Sequence, residues 1–105
     1  MNTTCVSIPK RIEYMFLILA ILKKETKPLT ALEIVDRIVE TRKAKKVTVK
    51  SWVYRVLPNL VDKWLVEVKG KPKAKELKYS ITPKGEFFIE TVIILHKILG
   101  VELTY

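Results

Sequence analysis

Between Ser51 and Gly85 the apolar spacing changes period, and that change limits the architectures open to the chain. Val49, Val53, Val56, Leu57, Leu60 and Trp64 recur at helical intervals. From Leu65 the pattern becomes alternation. "LVEVK" and "LKYSI" set Val66 and Val68 against Tyr79 and Ile81 at the period of a strand. The intervening "GKPKAKE" holds Gly70 and Pro72, residues that favour turns, and Lys71, Lys73 and Lys75 project from it. Thr82 and Pro83 then read as the cap and first turn of another helix.

Two helices precede this unit. The first spans about 9–24, with Pro9 suited to a first turn because its missing N–H has no partner there. Ile12, Met15, Phe16, Leu19 and Leu22 form one stripe, and Leu17, Ile18 and Ile21 make the helix apolar nearly all round. A small core cannot cover every face of a terminal helix, so a further surface is expected to cover the rest. The second helix spans about 30–42. Thr30 and Glu33 form a capping box, and Leu29 and Ile34 occupy the hydrophobic-staple positions around it. Ile34, Val35, Ile38 and Val39 give its buried face. A basic linker, "RKAKK", leads to a third helix over about 48–64 with Thr48 as N-cap. Pro58 falls inside it and removes the hydrogen bond to the Tyr54 carbonyl, so a kink or break is expected there. Leu57 and Leu60 must offset roughly 3 kcal/mol by packing. The hairpin covers about 65–81 and the last helix about 83–99. The chain reads as one α+β domain, mainly α, over 1–105.

Charge narrows the partners. Twenty Lys plus Arg against eleven Asp plus Glu give a formal net charge of +9 on 105 residues. Nucleic acid, an anionic membrane surface or an acidic protein would each relieve that self-repulsion. The apolar run "IEYMFLILAILKK" is shorter than the roughly 20 residues a membrane span needs and lacks a cleavage site. The expectation is therefore a soluble cytoplasmic protein with no membrane partner. Cys5 and His96 are each the sole residue of their type, so no metal site and no intrachain disulfide is expected. Cys5 reads as a free thiol, with an interchain disulfide as the alternative. No Gly-rich phosphate loop, Cys–His pair or Ser–His pair is present, so neither an enzyme nor a cofactor is expected. The absence of Gln and the abundance of Lys, Glu and Ile suit a thermophilic host.

Three helices, a hairpin and a fourth helix make a winged helix-turn-helix, in which the third helix enters a major groove and the hairpin reaches the DNA backbone or a minor groove. Positive charge falls on those parts. Arg42, Lys43, Lys45 and Lys46 precede the third helix; Lys50 and Arg55 lie on it; Lys69, Lys71, Lys73, Lys75 and Lys78 belong to the wing.

The stretch "SWVYRVLPNLVDKWLVEVKG", followed by "KELKYSITPKGEFFI", resembles the PadR-like and MarR-like winged-helix transcription regulators. The resemblance covers roughly residues 30–89 and rests on "VYRVL", Leu60, "WLV" and "YSITPKG". Small regulators of archaea and of their viruses also look like this. It implies a homodimer that binds duplex DNA and regulates transcription in the cytoplasm, the host's if the chain is viral. It carries over Ser51, Tyr54 and Arg55 as groove contacts and the wing lysines as backbone contacts. Two positions depart from the pattern: Pro58 replaces a helix former, and Trp64 stands where a glycine often ends the helix.

The candidate DNA-contacting residues are thus Lys43, Lys45, Lys46, Thr48, Lys50, Ser51, Tyr54, Arg55, Lys69, Lys71, Lys73 and Lys75. Competing structural roles are ring packing for Tyr54, an ion pair with Glu33 for Arg55, and core packing for Trp52. Leu17, Ile18 and Ile21 of the first helix and Leu95, Ile98 and Leu99 of the last are the candidate dimer contacts. Two other functions stay open: a winged-helix protein–protein interaction module, and non-specific nucleic-acid binding, including RNA or single strands.

Overall fold

The computed structural model describes residues 4–6, 9–69, 77–99 and 101–103. Its elements are β1 (Thr4–Val6), α1 (Lys10–Glu25), β2 (Leu29–Thr30), α2 (Ala31–Thr41), α3 (Lys46–Asp62), β3 (Val66–Lys69), β4 (Lys78–Ile81), α4 (Pro83–Leu99) and β5 (Val101–Leu103). The wing tip, residues 70–76, lies outside the described residues, and with it the expected positions of Lys71, Lys73 and Lys75.

α1 occupies the middle of the core, packed against α2, α3, α4 and β4. Ile18, Leu19 and Leu22 are buried among Ile34, Val35 and Ile38 of α2 and Val49, Val53, Val56 and Leu60 of α3. This corrects the expectation that α1 keeps an uncovered apolar face. Ile18 has no exposed surface and Leu17 very little, so Ile18 has nothing to offer a second copy. The element left uncovered is α4, where only Gly85 and Ile89 are buried. Pro9 is the N-cap of α1 and not part of its first turn; its carbonyl accepts from the Glu13 N–H at 3.0 Å.

α2 begins as its residues dictate. Thr30 Oγ1 accepts from the Glu33 N–H at 3.2 Å, and the Glu33 carboxylate accepts from the Thr30 N–H at 3.0 Å. That backbone bond is the main reason the Glu33 carboxyl titrates below its ordinary value of 4.5. Leu29 and Ile34, the staple pair, are both fully buried.

Leu29 and Thr30 also form β2, which pairs antiparallel with β4 (Leu29 opposite Tyr79, Thr30 opposite Lys78). The hairpin is therefore part of a three-stranded sheet in the order β2-β4-β3. The register within the hairpin sets Val66 opposite Ile81 and Val68 opposite Tyr79, as the alternation requires. A second, parallel pair joins β1 to β5, with Cys5 opposite Glu102. Cys5 thus lies in a strand and not on a loose end; its thiol is outside the described residues.

α3 starts at Lys46, before the expected cap at Thr48. Lys45 is the N-cap and makes no side-chain cap bond, and the Thr48 N–H already donates to the Lys45 carbonyl at 3.1 Å. Upstream, Arg42 is ion-paired with the buried Glu13 of α1 and holds the start of the linker. α3 also runs unbroken through Pro58. Pro58 is exposed, as is Tyr54, so water can take up the carbonyl the proline leaves free, while Leu57 and Leu60 are buried beside it.

The end of α3 is a Schellman turn. The Trp64 N–H donates to the Val61 carbonyl at 3.0 Å and the Leu65 N–H to the Leu60 carbonyl at 3.0 Å. Trp64 holds the left-handed position, with φ 62°. The helix accordingly closes at Asp62, two residues before the expected end. Thr82 locks this turn to α4. Its hydroxyl donates to the Trp64 carbonyl at 2.6 Å and accepts from the Gly85 N–H at 3.0 Å, and its own N–H donates to the Leu65 carbonyl at 3.1 Å. Gly85 sits so close that a Cβ there would lie 2.2 Å from the Leu65 carbonyl oxygen. "TPKG" is thus one device: a cap, a proline in the first turn, and a glycine that lets two backbones touch.

Candidate nucleic-acid interface

One face of α3 is committed to the core through Val49, Val53, Val56, Leu57 and Leu60. The opposite face exposes Val47, Thr48, Lys50, Ser51, Tyr54 and Arg55. No acidic residue precedes Asp62 in this helix, so its exposed face is cationic and polar over most of its length.

Tyr54 is 48% exposed, and the Lys50 ammonium lies 5.9 Å from its ring centre, within cation–π range. Burial first, and then the electrostatic influence of Tyr54, push the Tyr79 phenol of β4 above its ordinary pKa. Arg55 makes no ion pair with Glu33, whose carboxylate is taken by the α2 cap. Its guanidinium lies instead 4.9 Å from the ring centre of Trp52. Trp52 is half-buried and stacks on Tyr14 of α1, with centroids 5.8 Å apart and planes 12° apart.

The flanking cations divide into two groups. Lys43, Lys45 and Lys50 are exposed and make no ion pair among the described residues. Lys46 lies 3.2 Å from Asp36, and Lys69 lies 3.0 Å from Glu67. Both pairs are exposed on each side, so each is worth no more than about 1 kcal/mol and a phosphate can displace the carboxylate. Two contacts were not foreseen. The Arg42–Glu13 pair joins residues far apart in sequence and leaves no local signal. The Trp52–Arg55 pair does leave one, since residues three apart share a helix face.

On α4 the exposed apolar residues are Phe87, Ile93, Ile94, Leu95, Ile98 and Leu99, with Ile98 at 72%. Leu95, Ile98 and Leu99 are thus accessible, Ile21 and Leu17 border a cleft between α1 and α2, and Ile18 is not accessible. That cleft, about 200 Å³ and crossed by the Arg37–Glu25 ion pair, falls below the roughly 300 Å³ at which ligand pockets begin. Among the described residues no cluster of His, Cys, Asp and Glu is placed to hold a metal ion, and no helix is long and apolar enough to cross a membrane.

Solved structures with this architecture exist. A PadR family transcription regulator from hypervirulent Clostridium difficile R20291 superposes with a TM-score of 0.66 at 21% identity, covering 81% of this chain and 88% of its own. A crystallised transcriptional-regulator candidate from Thermoplasma acidophilum superposes with a TM-score of 0.59 at 22% identity, covering 85% of this chain and 90% of its own. The chain shares the winged-helix fold of these structures. No protein-family model and no curated protein matches the sequence. At these identities the likeness establishes the winged helix and leaves the chemistry to the residues above.

Proposed function

We propose that this winged-helix chain is a homodimeric, sequence-specific double-stranded DNA-binding protein that regulates transcription in the cytoplasm. One observation carries the reading: the outward face of α3 is cationic and polar, with Lys50, Ser51, Tyr54 and Arg55 exposed on the element that winged helices insert in a major groove. Arg55, Ser51 and Tyr54 are assigned to base edges or adjoining phosphates. Lys43, Lys45, Lys46, Lys50 and Lys69, with Thr48 and the wing lysines Lys71, Lys73 and Lys75, are assigned to the backbone. An interaction module that leaves DNA alone has no use for this face, and single-strand binders present stacked aromatics on a sheet. The α4 surface supports the dimer, because an apolar strip of this length on a soluble monomer is a contact surface.

Mobility shifts with duplex, single-stranded and RNA probes at two salt concentrations test the reading. Duplex preference that weakens with salt is the expected result, and selection from random duplexes should return an inverted repeat. Equal affinity for all three probes would overturn it.

A further inference from the structure

We propose that Trp52 is a positioning residue for Arg55, an inference that rests on the DNA-binding reading above and extends it. An arginine that reads a base must present its planar fork at one orientation, yet an exposed arginine on a helix samples many rotamers. Trp52 removes that freedom. Its ring lies 4.9 Å from the guanidinium carbon of Arg55, close enough for the cation to rest on the aromatic face. The ring is itself held: Trp52 is half-buried and stacks nearly parallel on Tyr14 of α1, which is 4% exposed. The order of support runs from the core, through Tyr14 and Trp52, to the exposed guanidinium. Arg55 has no competing carboxylate among the described residues, so the ring is what sets its direction. The neighbouring cation on the same face, Lys50, lies 5.9 Å from the ring centre of Tyr54, which is itself 48% exposed, whereas Trp52 is half-buried. Of the two cations, Arg55 is therefore the preorganised one and the one suited to discriminate bases.

The test uses the full chain and the variants Trp52→Leu, Trp52→Phe, Arg55→Ala and the double variant Trp52→Leu/Arg55→Ala. Binding is measured to the selected site, to the same site altered at single base pairs, and to an unrelated duplex. Trp52→Leu should lose about 2- to 5-fold in preference at the base position where Arg55→Ala loses about 5- to 150-fold. Its affinity for the unrelated duplex and its salt slope should stay unchanged. Trp52→Phe, which keeps a ring, should retain most of the preference. The double variant should be no worse than Arg55→Ala. Preference intact in Trp52→Leu, or full additivity in the double variant, overturns the proposal while leaving DNA binding standing. A measurement without DNA separates the two ideas. The Arg55 side-chain protons should resonate upfield under the Trp52 ring current and return to ordinary positions in Trp52→Leu, with backbone shifts elsewhere in the core preserved. No ring-current shift in the wild-type chain also overturns it. Shifted resonances in a chain that binds no duplex would sink the DNA reading and retain the shelf.

Discussion

Gly85→Ala is the sharpest probe of how the wing is held. In an ordinary helix this change stabilises, because alanine exceeds glycine in helix propensity by about 1 kcal/mol. Here the new methyl would lie 2.2 Å from the Leu65 carbonyl oxygen and 2.8 Å from Ile81 Cγ1. Ordinary contact begins at 3.4 Å, so backbone and methyl must part by about 1.2 Å. The Leu65 carbonyl is not free to retreat: it accepts the Thr82 N–H at 3.1 Å and follows directly on the left-handed Trp64. Moving it sacrifices a buried hydrogen bond, worth about 1 kcal/mol, on top of an overpacking cost of about 1–3 kcal/mol. After the propensity gain the variant should be destabilised by about 2 kcal/mol, or about 8–16 °C in Tm for a domain of this size. Urea unfolding at fixed protein concentration is the assay, since oligomerisation makes stability concentration-dependent. The midpoint should fall with the slope unchanged. A variant that melts at or above the wild type would mean that helix propensity wins and that the close approach is not a constraint.

Neutralising Lys43 and Lys45 together should weaken binding to all duplexes alike and reduce the log–log salt slope by up to about 0.9 per lost phosphate contact; an unchanged slope removes the linker from the interface. Arg55→Ala should cost about 1–3 kcal/mol at the selected site and relax preference at one base pair, whereas a uniform loss across sequences would reassign it to a phosphate. Glu33 has a folded pKa below its ordinary 4.5, so its cap contributes stability above that value, and the contribution is lost as pH falls through the lower folded value. Glu33→Gln should therefore flatten the acid limb of the stability–pH curve, read by thermal melts between neutral and acid pH. Ile98→Glu with Leu95→Glu should convert a dimer to a monomer in sedimentation equilibrium under reducing conditions, and a wild-type chain that is already monomeric would refute the α4 interface.

Local chemistry made much of this fold legible. The cap of α2 is written in four residues, Thr30 to Glu33, and the hairpin register in the alternation of Val66, Val68, Tyr79 and Ile81. Long-range arrangement was less accessible. β2 has two residues, too few for a period, and was read only as a staple and a cap. α1 is apolar nearly all round because it is the central helix, which periodicity cannot distinguish from a helix awaiting a partner. Pro58 obeyed its own rule, but the loss of one hydrogen bond on the wet face does not break the helix. At the interface the residue types on α3 could be read, while the ring beneath Arg55 needed Tyr14, a residue distant in sequence, to become visible as support.

The knot of Trp64, Leu65, Thr82 and Gly85 has a mechanical consequence. It ties the end of α3 to the start of α4 by hydrogen bonds and backbone contact, so the two helices share one joint. The 17 residues of α3 make an arm of about 25 Å. A tilt of about 10° at the hub sweeps the far end, where Lys46 and Thr48 lie, through about 4 Å, more than the 3.4 Å rise of one base pair. On the proposed reading as a dimeric DNA-binding protein, small changes along α4 would have the leverage to reset the spacing between the two half-sites that the dimer spans.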